Sequence, residues 1–266
     1  AGRIVLHLVV VGLMVLWAIP TIGLLVSSFR PSSELSASGW WTAFAPPYHF
    51  TMENYSQVIN QSGIGRAFLN SLFIAIPATI IPIAVAAFAA YAFSWMEFPG
   101  RDVLFVVVVG LLVVPLQTTL IPILRAFAEW GITGEFLAVW LAHTGYGLPF
   151  AVYLLRNFMG SLPKSLFESA AIDGANHVTA FFRVALPLCV PAIAALAIFQ
   201  FLFVWNDLLV ALIYIGLAKP DRLPLTATMA NLVNSLGGGW YLLAAAAFLS
   251  MLVPLLIFFT LQRDFI

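Results

Sequence analysis

Five ionisable side chains crowd one short stretch of this sequence: Lys164, Glu168, Asp173, His177 and Arg183, all between Ser161 and Pro187. Carboxylates and imidazoles move protons near neutral pH when their surroundings tune them, so acid–base work is the first chemistry to consider. The spacing opposes it. Glu168 and Asp173 are separated by five residues, about 500° of helical rotation, and do not share a face cleanly. There is no HExxH, no Cys/His cluster with metal spacing and no G-x-x-x-x-G-K-[ST] phosphate loop. If ATP drives this protein, another chain binds it. Two further candidates interrupt apolar runs: Asp207, within Trp205-Asn206-Asp207, and His143. An acid inside a membrane span is a functional candidate, and a structural cap or an interface pairing is the competing reading. A lone histidine such as His143 is more often hydrogen-bonded structure than a ligand or proton relay.

The elements that position these residues are membrane helices. The chain has 266 residues, 62% hydrophobic and 8% charged, with a mean hydropathy of +1.03. A soluble domain has close to half apolar residues. An excess arranged in long blocks means an all-α polytopic protein in a lipid bilayer. Net charge is zero, which suggests no nucleic-acid partner. Cys189 is the one cysteine and reads as a buried small side chain. Six spans are expected, near residues 4–29, 67–94, 103–124, 135–158, 188–216 and 240–261, forming one transmembrane domain over residues 1–266. The first is too long for a signal-peptide core and reads as retained. The third carries Pro115-Leu116-Gln117-Thr118-Thr119-Leu120-Ile121-Pro122. Two prolines around a polar triplet are tolerated beside a cavity or a neighbouring helix, so Gln117 and Thr118 are either pathway or gate residues or part of a satisfied kink. Trp40, Trp41 and Tyr48, in the polar segment after the first span, read as an interfacial belt more than as sugar-stacking rings.

The charged stretch itself reads as two short helices. Pro163 suits a first turn, with Ser161 or Leu162 as the cap, and Lys164 to Asp173 forms the first helix. Phe167, Ala170, Ala171 and Gly174 fall on one face, and Gly174 offers a stop. A second helix begins near Val178 and ends at Pro187. A face of one ring and very small residues permits close approach by another surface, and packing under the chain's own bundle explains it equally well.

The same residues resemble the EAA loop of the membrane subunits of ATP-binding-cassette importers. That motif is Glu-Ala-Ala, three residues, Gly, nine residues, Ile, one residue, Leu-Pro. Here it is met by Glu168-Ser169-Ala170, then Gly174, then Val184, Ala185 and Leu186-Pro187, with Ser169 and Val184 as the two departures. Ile172-Asp173-Gly174-Ala175 has the form typical of the carbohydrate branch. Trp205-Asn206-Asp207 and Leu141-Ala142-His143-Thr144 are similar to the α-glucoside subset of the maltose-type second permease subunit.

The resemblance implies a non-catalytic transport subunit in a prokaryotic cytoplasmic (inner) membrane, with both termini and the loop over residues 159–187 in the cytoplasm. Its implied partners are a second permease, two ATP-binding-cassette ATPase subunits that hold ATP and Mg, and an extracytoplasmic sugar-binding protein. This chain itself would bind no cofactor and no metal. Phe167, Glu168, Ser169, Ala170, Ala171, Asp173, Gly174 and Ala175 become ATPase-coupling residues by position in the motif. Asn206 and Asp207 join Gln117 and Thr118 as pathway or gate candidates. Asn234, Gly237, Gly238 and Gly239 are candidates for contact with the binding protein, because the maltose type inserts the corresponding loop into it. The implied cargo is an α-glucoside or related oligosaccharide. Another solute, such as a compatible solute or glycerol phosphate, is the alternative within the family, and a stand-alone membrane enzyme is the alternative outside it.

Overall fold

The computed structural model describes residues 2–60, 63–216, 218–232 and 239–265. In chain order its main helices are α1 (Gly2–Ser28), α2 (Ser32–Ala37), α3 (Glu53–Asn60), α4 (Ile64–Trp95), α5 (Arg101–Val113, the last turn 3₁₀), α6 (Leu116–Glu129), α7 (Phe136–Gly160), α8 (Lys164–Ile172), α9 (His177–Leu188), α10 (Val190–Trp205), α11 (Leu225–Ala230) and α12 (Trp240–Phe265). The described residues are all-α. Four helices, α1, α4, α7 and α12, are each long and apolar enough to cross a membrane. Two bent pairs raise the number to six if each pair is one span: α5 with α6, at 103°, and α9 with α10, at 71°.

Those bends revise the expected third and fifth spans. The third does not run straight through 103–124. It breaks where Val114 turns extended before Pro115, because proline has no N–H to continue the ladder and disfavours helical geometry in the preceding residue. Pro122 is accommodated inside α6. The fifth is shorter than 188–216. α10 stops at Trp205, and a separate turn, Leu209–Ala211, leads into a π-helical turn, Leu212–Gly216.

The chain divides into two compact units, one of residues 1–68 and 227–253, the other of 69–226 and 254–266. In the first unit α1 packs on the Trp40–Phe44 turn: a Cβ on Gly23 would lie 2.8 Å from the Trp40 indole nitrogen. Arg30 is almost fully buried. Its guanidinium donates to Ser38 O (3.2 Å), Gly39 O (2.9 Å), Ser38 Oγ (2.8 Å) and Thr42 Oγ1 (3.2 Å) and pairs with Glu34. Asn54 of α3, also buried, donates to Ser28 O and Arg30 O. Buried charge is tolerated only when it is paired and hydrogen-bonded in this way. His49 and Arg30 together hold the Glu34 carboxyl below its usual range, the His49 hydrogen bond being the larger cause.

In the second unit α4, α7, α9 and α10 share a core of small residues among larger ones, including Ala86, Ala90, Ala151, Leu155, Met159, Ala185 and Cys189. Small side chains let membrane helices approach closely, where dispersion and hydrogen bonds replace the hydrophobic effect. Gln200 of α10 is buried and donates to Ala78 O of α4 at 3.1 Å, and a Cβ on Gly147 of α7 would meet its amide at 2.6 Å. Gly147→Leu is therefore expected to destabilise by about 1–3 kcal/mol or more through overpacking. Gly145→Ala, where a Cβ meets nothing within 4 Å, is the matched control. Thermal unfolding in detergent reads the difference.

Glu135, just outside α7, pairs with both Lys219 and Arg222. Their hydrogen bonds hold its carboxyl below the ordinary range, Lys219 having the larger effect. A depressed carboxyl stabilises the fold above its unfolded pKa and loses that contribution as pH falls through the folded value. The triad is thus intact at neutral pH and weakens only in acid below the carboxylate's ordinary 4.5.

Candidate functional site

α8 begins directly after Pro163, which occupies the cap position itself. It ends in a Schellman closure: Ala175 N donates to Ala170 O (2.9 Å), Gly174 N donates to Ala171 O (3.0 Å), and Gly174 takes φ +83°. The left-handed residue closes the last carbonyls and fixes the exit angle of the chain. Asn176 then caps α9, its side chain accepting from Thr179 N at 2.9 Å. α9 continues through Pro187 to Leu188, one residue beyond the expected stop.

One face of α8 is turned inward. Phe167 stacks on Trp95 of α4 with ring centroids 3.7 Å apart. The Trp95 indole N–H donates to Met159 O of α7 (3.1 Å), and Ser94 Oγ donates to Arg156 O (3.2 Å). Tyr91 OH lies 3.3 Å from His177 Nδ1 at the start of α9. The end of α4 therefore grips α7, α8 and α9 together. Phe167 and Ala170 are half-buried, so the expected small-residue face is not the most open one. Glu168, Ser169, Ala171, Asp173 and Gly174 are exposed. Ile172 is 86% exposed, and Leu166 is 40% exposed. Leu166 and Ile172 thus stand open on the same helix as the exposed carboxylates of Glu168 and Asp173. Sequence reasoning missed Trp95 as the partner of Phe167. Its only signal was an aromatic at the end of an apolar block.

The intramembrane candidates form a second group. Asp207 caps the turn after α10: Val210 N donates to Oδ1 (3.2 Å) and Ala211 N to Oδ2 (3.1 Å). Its backbone carbonyl accepts from Thr226 Oγ1. Asn206 is exposed and donates to Leu202 O at 2.9 Å. His143 is not the hydrogen-bonded residue expected. It is fully buried, neither ring nitrogen has a hydrogen-bond partner among the described residues, and Nε2 lies 3.6 Å from Asp207 Oδ2. Gln117 and Thr118 are exposed on the first turn of α6, where Thr118 Oγ1 donates to Pro115 O (2.8 Å). Gln117 lines a cavity of about 730 Å³ at the bend between α5 and α6, with Thr119, Tyr146 and Phe203 among its walls. A chain of hydroxyls, Thr119–Tyr146 (3.0 Å) and Tyr146–Tyr214 (3.1 Å), runs from that turn to the segment that Asp207 caps. Asn234, Gly237 and Gly238 lie outside the described residues. Gly239 takes φ +92° immediately before α12.

An all-α membrane chain with a Gly-closed helix presented beside two broken spans has the architecture of a transporter subunit. Residues 83–265 match the family of binding-protein-dependent transport system inner membrane components, and the chain belongs to that family. It is 56% identical to the osmoprotective compounds uptake permease protein GgtD of Synechocystis over 99% of this chain and 89% of that one. It is 41% identical to the alpha-glucoside transport system permease protein AglG of Rhizobium meliloti, over 97% and 93% of the two chains. Among solved structures, a chain of a bacterial ABC transporter that imports the acidic polysaccharide alginate shares the fold, with a TM-score of 0.82 at 18% identity over 98% of this chain and 96% of that one.

Proposed function

We propose that this chain is one of two transmembrane subunits of an ATP-driven importer of neutral carbohydrate, an α-glucoside or a related oligosaccharide. The similarity to the α-glucoside permease along nearly the whole chain carries this reading. The similarity to the osmoprotectant permease supports the second reading, the same machine serving a compatible solute.

In this reading ATP and Mg belong to two separate ATPase subunits, and a binding protein delivers solute from outside. α8 seats its open face, Glu168, Ser169, Ala171, Ile172 and Asp173, on an ATPase subunit. Both chain termini and α8 then face the cytoplasm. When the ATPases close, α8 moves with them. Because Phe167 is stacked on Trp95 and Trp95 is bonded to α7, the displacement reaches α4 and α7 together. The broken spans, with Gln117 and Thr118 just past the α5–α6 break and Asn206 and Asp207 where α10 ends, change their exposure to the two sides. Discontinuous spans suit this, since irregular backbone inside a membrane is tolerated where it lines a cavity or is buried in protein.

Affinity purification from the native membrane in mild detergent tests the assembly. Recovery of an ATPase subunit and a second permease is the expected result, and recovery of this chain alone, beside an intact control importer, overturns it. Trp95→Ala is expected to lower solute imported per ATP hydrolysed, while Trp95→Phe, which keeps a stacking ring, retains most of it. Paired uptake and phosphate-release assays in proteoliposomes measure the ratio.

A further inference from the structure

The buried Arg30 ties Ser38, Gly39, Thr42 and Glu34 into a shelf at the end of α1. The short helix α2 on that shelf faces the start of α12 across a cavity of about 850 Å³. Its walls carry four hydroxyls, Ser27, Ser32, Ser33 and Ser36, and two aromatic rings, Trp240 and Tyr241. All lie within the first compact unit. Ser36 Oγ donates to Ser32 O, and the hydroxyls of the other three serines are unbonded among the described residues. Trp240 is 57% exposed. None of the described lining residues is charged.

We infer that this cavity is a binding site for a neutral polyhydroxylated solute, separate from the pathway candidates Gln117, Thr118, Asn206 and Asp207. The inference rests on the importer reading for its orientation, which places the cavity at the outer mouth. Three features select the ligand. Serine hydroxyls both donate and accept, so they match sugar hydroxyls in either sense. Aromatic faces receive the apolar C–H faces of a pyranose ring while the Tyr hydroxyl and Trp N–H remain available to polar groups. A wall without Lys, Arg, Asp or Glu offers nothing to balance a phosphate, a lipid headgroup or a zwitterion. The volume falls within the roughly 300–1,000 Å³ of small-molecule sites. The Arg30 network contributes preorganisation, since a shelf already held in place loses little freedom when it binds. The site would hold solute leaving the binding protein before it enters the membrane.

Saturation-transfer NMR on the purified complex in nanodiscs, with the binding protein omitted, tests this with maltose, sucrose and trehalose at millimolar concentration. Transfer to the ring protons of at least one sugar is expected, with none to glycine betaine. Trp240→Leu and Ser33→Leu should each weaken binding about tenfold, as expected for loss of an aromatic contact or of a hydroxyl to bulk. Should Trp240→Leu fail to assemble, Ser36→Val with Ser33→Leu decides. Absence of transfer in the wild type, transfer unchanged in the variants, or equal transfer to glycine betaine overturns the site. Uptake by the wild-type complex with its binding protein separates the two levels. If it imports none of the sugars, the carbohydrate reading fails; if it imports one that gives no transfer, this site alone fails.

Discussion

Replacing Gly174 by tryptophan is expected to bring uptake down to background while the chain still inserts into the membrane. Two effects contribute, and their sizes differ. Gly174 has φ +83°, a conformation that costs an L-residue about 1–2 kcal/mol. That strain loosens the α8 closure without unfolding a polytopic protein. The larger effect is steric and external. A Cβ at Gly174 meets no described residue within 4 Å, so the indole projects away from the fold and, on the proposed role of α8, into the space an ATPase subunit would occupy. Gly174→Ala carries the strain without the bulk and should keep a measurable fraction of transport. ATP-driven uptake in vesicles, read beside protease accessibility of the inserted chain, decides. Normal uptake by a correctly inserted Gly174→Trp chain would falsify the coupling role of α8.

Asp207→Ala is the second large effect. It removes the acceptors for Val210 N and Ala211 N and takes away the carboxylate beside the buried, unbonded His143. A lost cap costs about 1 kcal/mol, with a range near 0.5–2. Loss of transport, or of assembly with the proposed second permease, is expected. Asp207→Asn separates cap from charge, because asparagine caps about as well as aspartate. An Asn variant close to wild type assigns the residue to capping; one as damaged as Ala assigns it to its charge facing His143. Wild-type transport and thermal stability in Asp207→Ala would leave it a tolerated acid.

Local signals made α8 legible. Pro163 and Gly174 mark its ends through backbone chemistry that needs no distant partner, and the motif from Glu168 to Pro187 keeps its register. The direction in which Phe167 points was not legible, because its partner Trp95 belongs to another helix far away in the chain. Helical periodicity finds a face but not which surface covers it. The same limit explains Arg30. Counted along the sequence it is one charge in a polar link; folded, it is nearly inaccessible, because two backbone carbonyls, two hydroxyls and the Glu34 carboxylate converge on it, and no spacing in the sequence announces that convergence. The spans were legible as blocks, while their breaks were only half so. Pro115 announced a disturbance, but not its size, a bend of 103°. Nothing comparable marks the Asn206–Asp207 break except the polarity of the two residues.

The two sides of α8 answer to different constraints. Phe167 is committed to Trp95, so changing it disturbs the helix's attachment to its own chain. Glu168, Ser169, Ala171 and Ile172 touch mostly open space. On the proposed role, the address and the lever occupy the same nine residues on separable faces. Exchanging the outward residues can redirect the subunit to a different ATPase while leaving the mechanical link intact, which makes partner choice a trait that drifts or is engineered independently of the transport pathway.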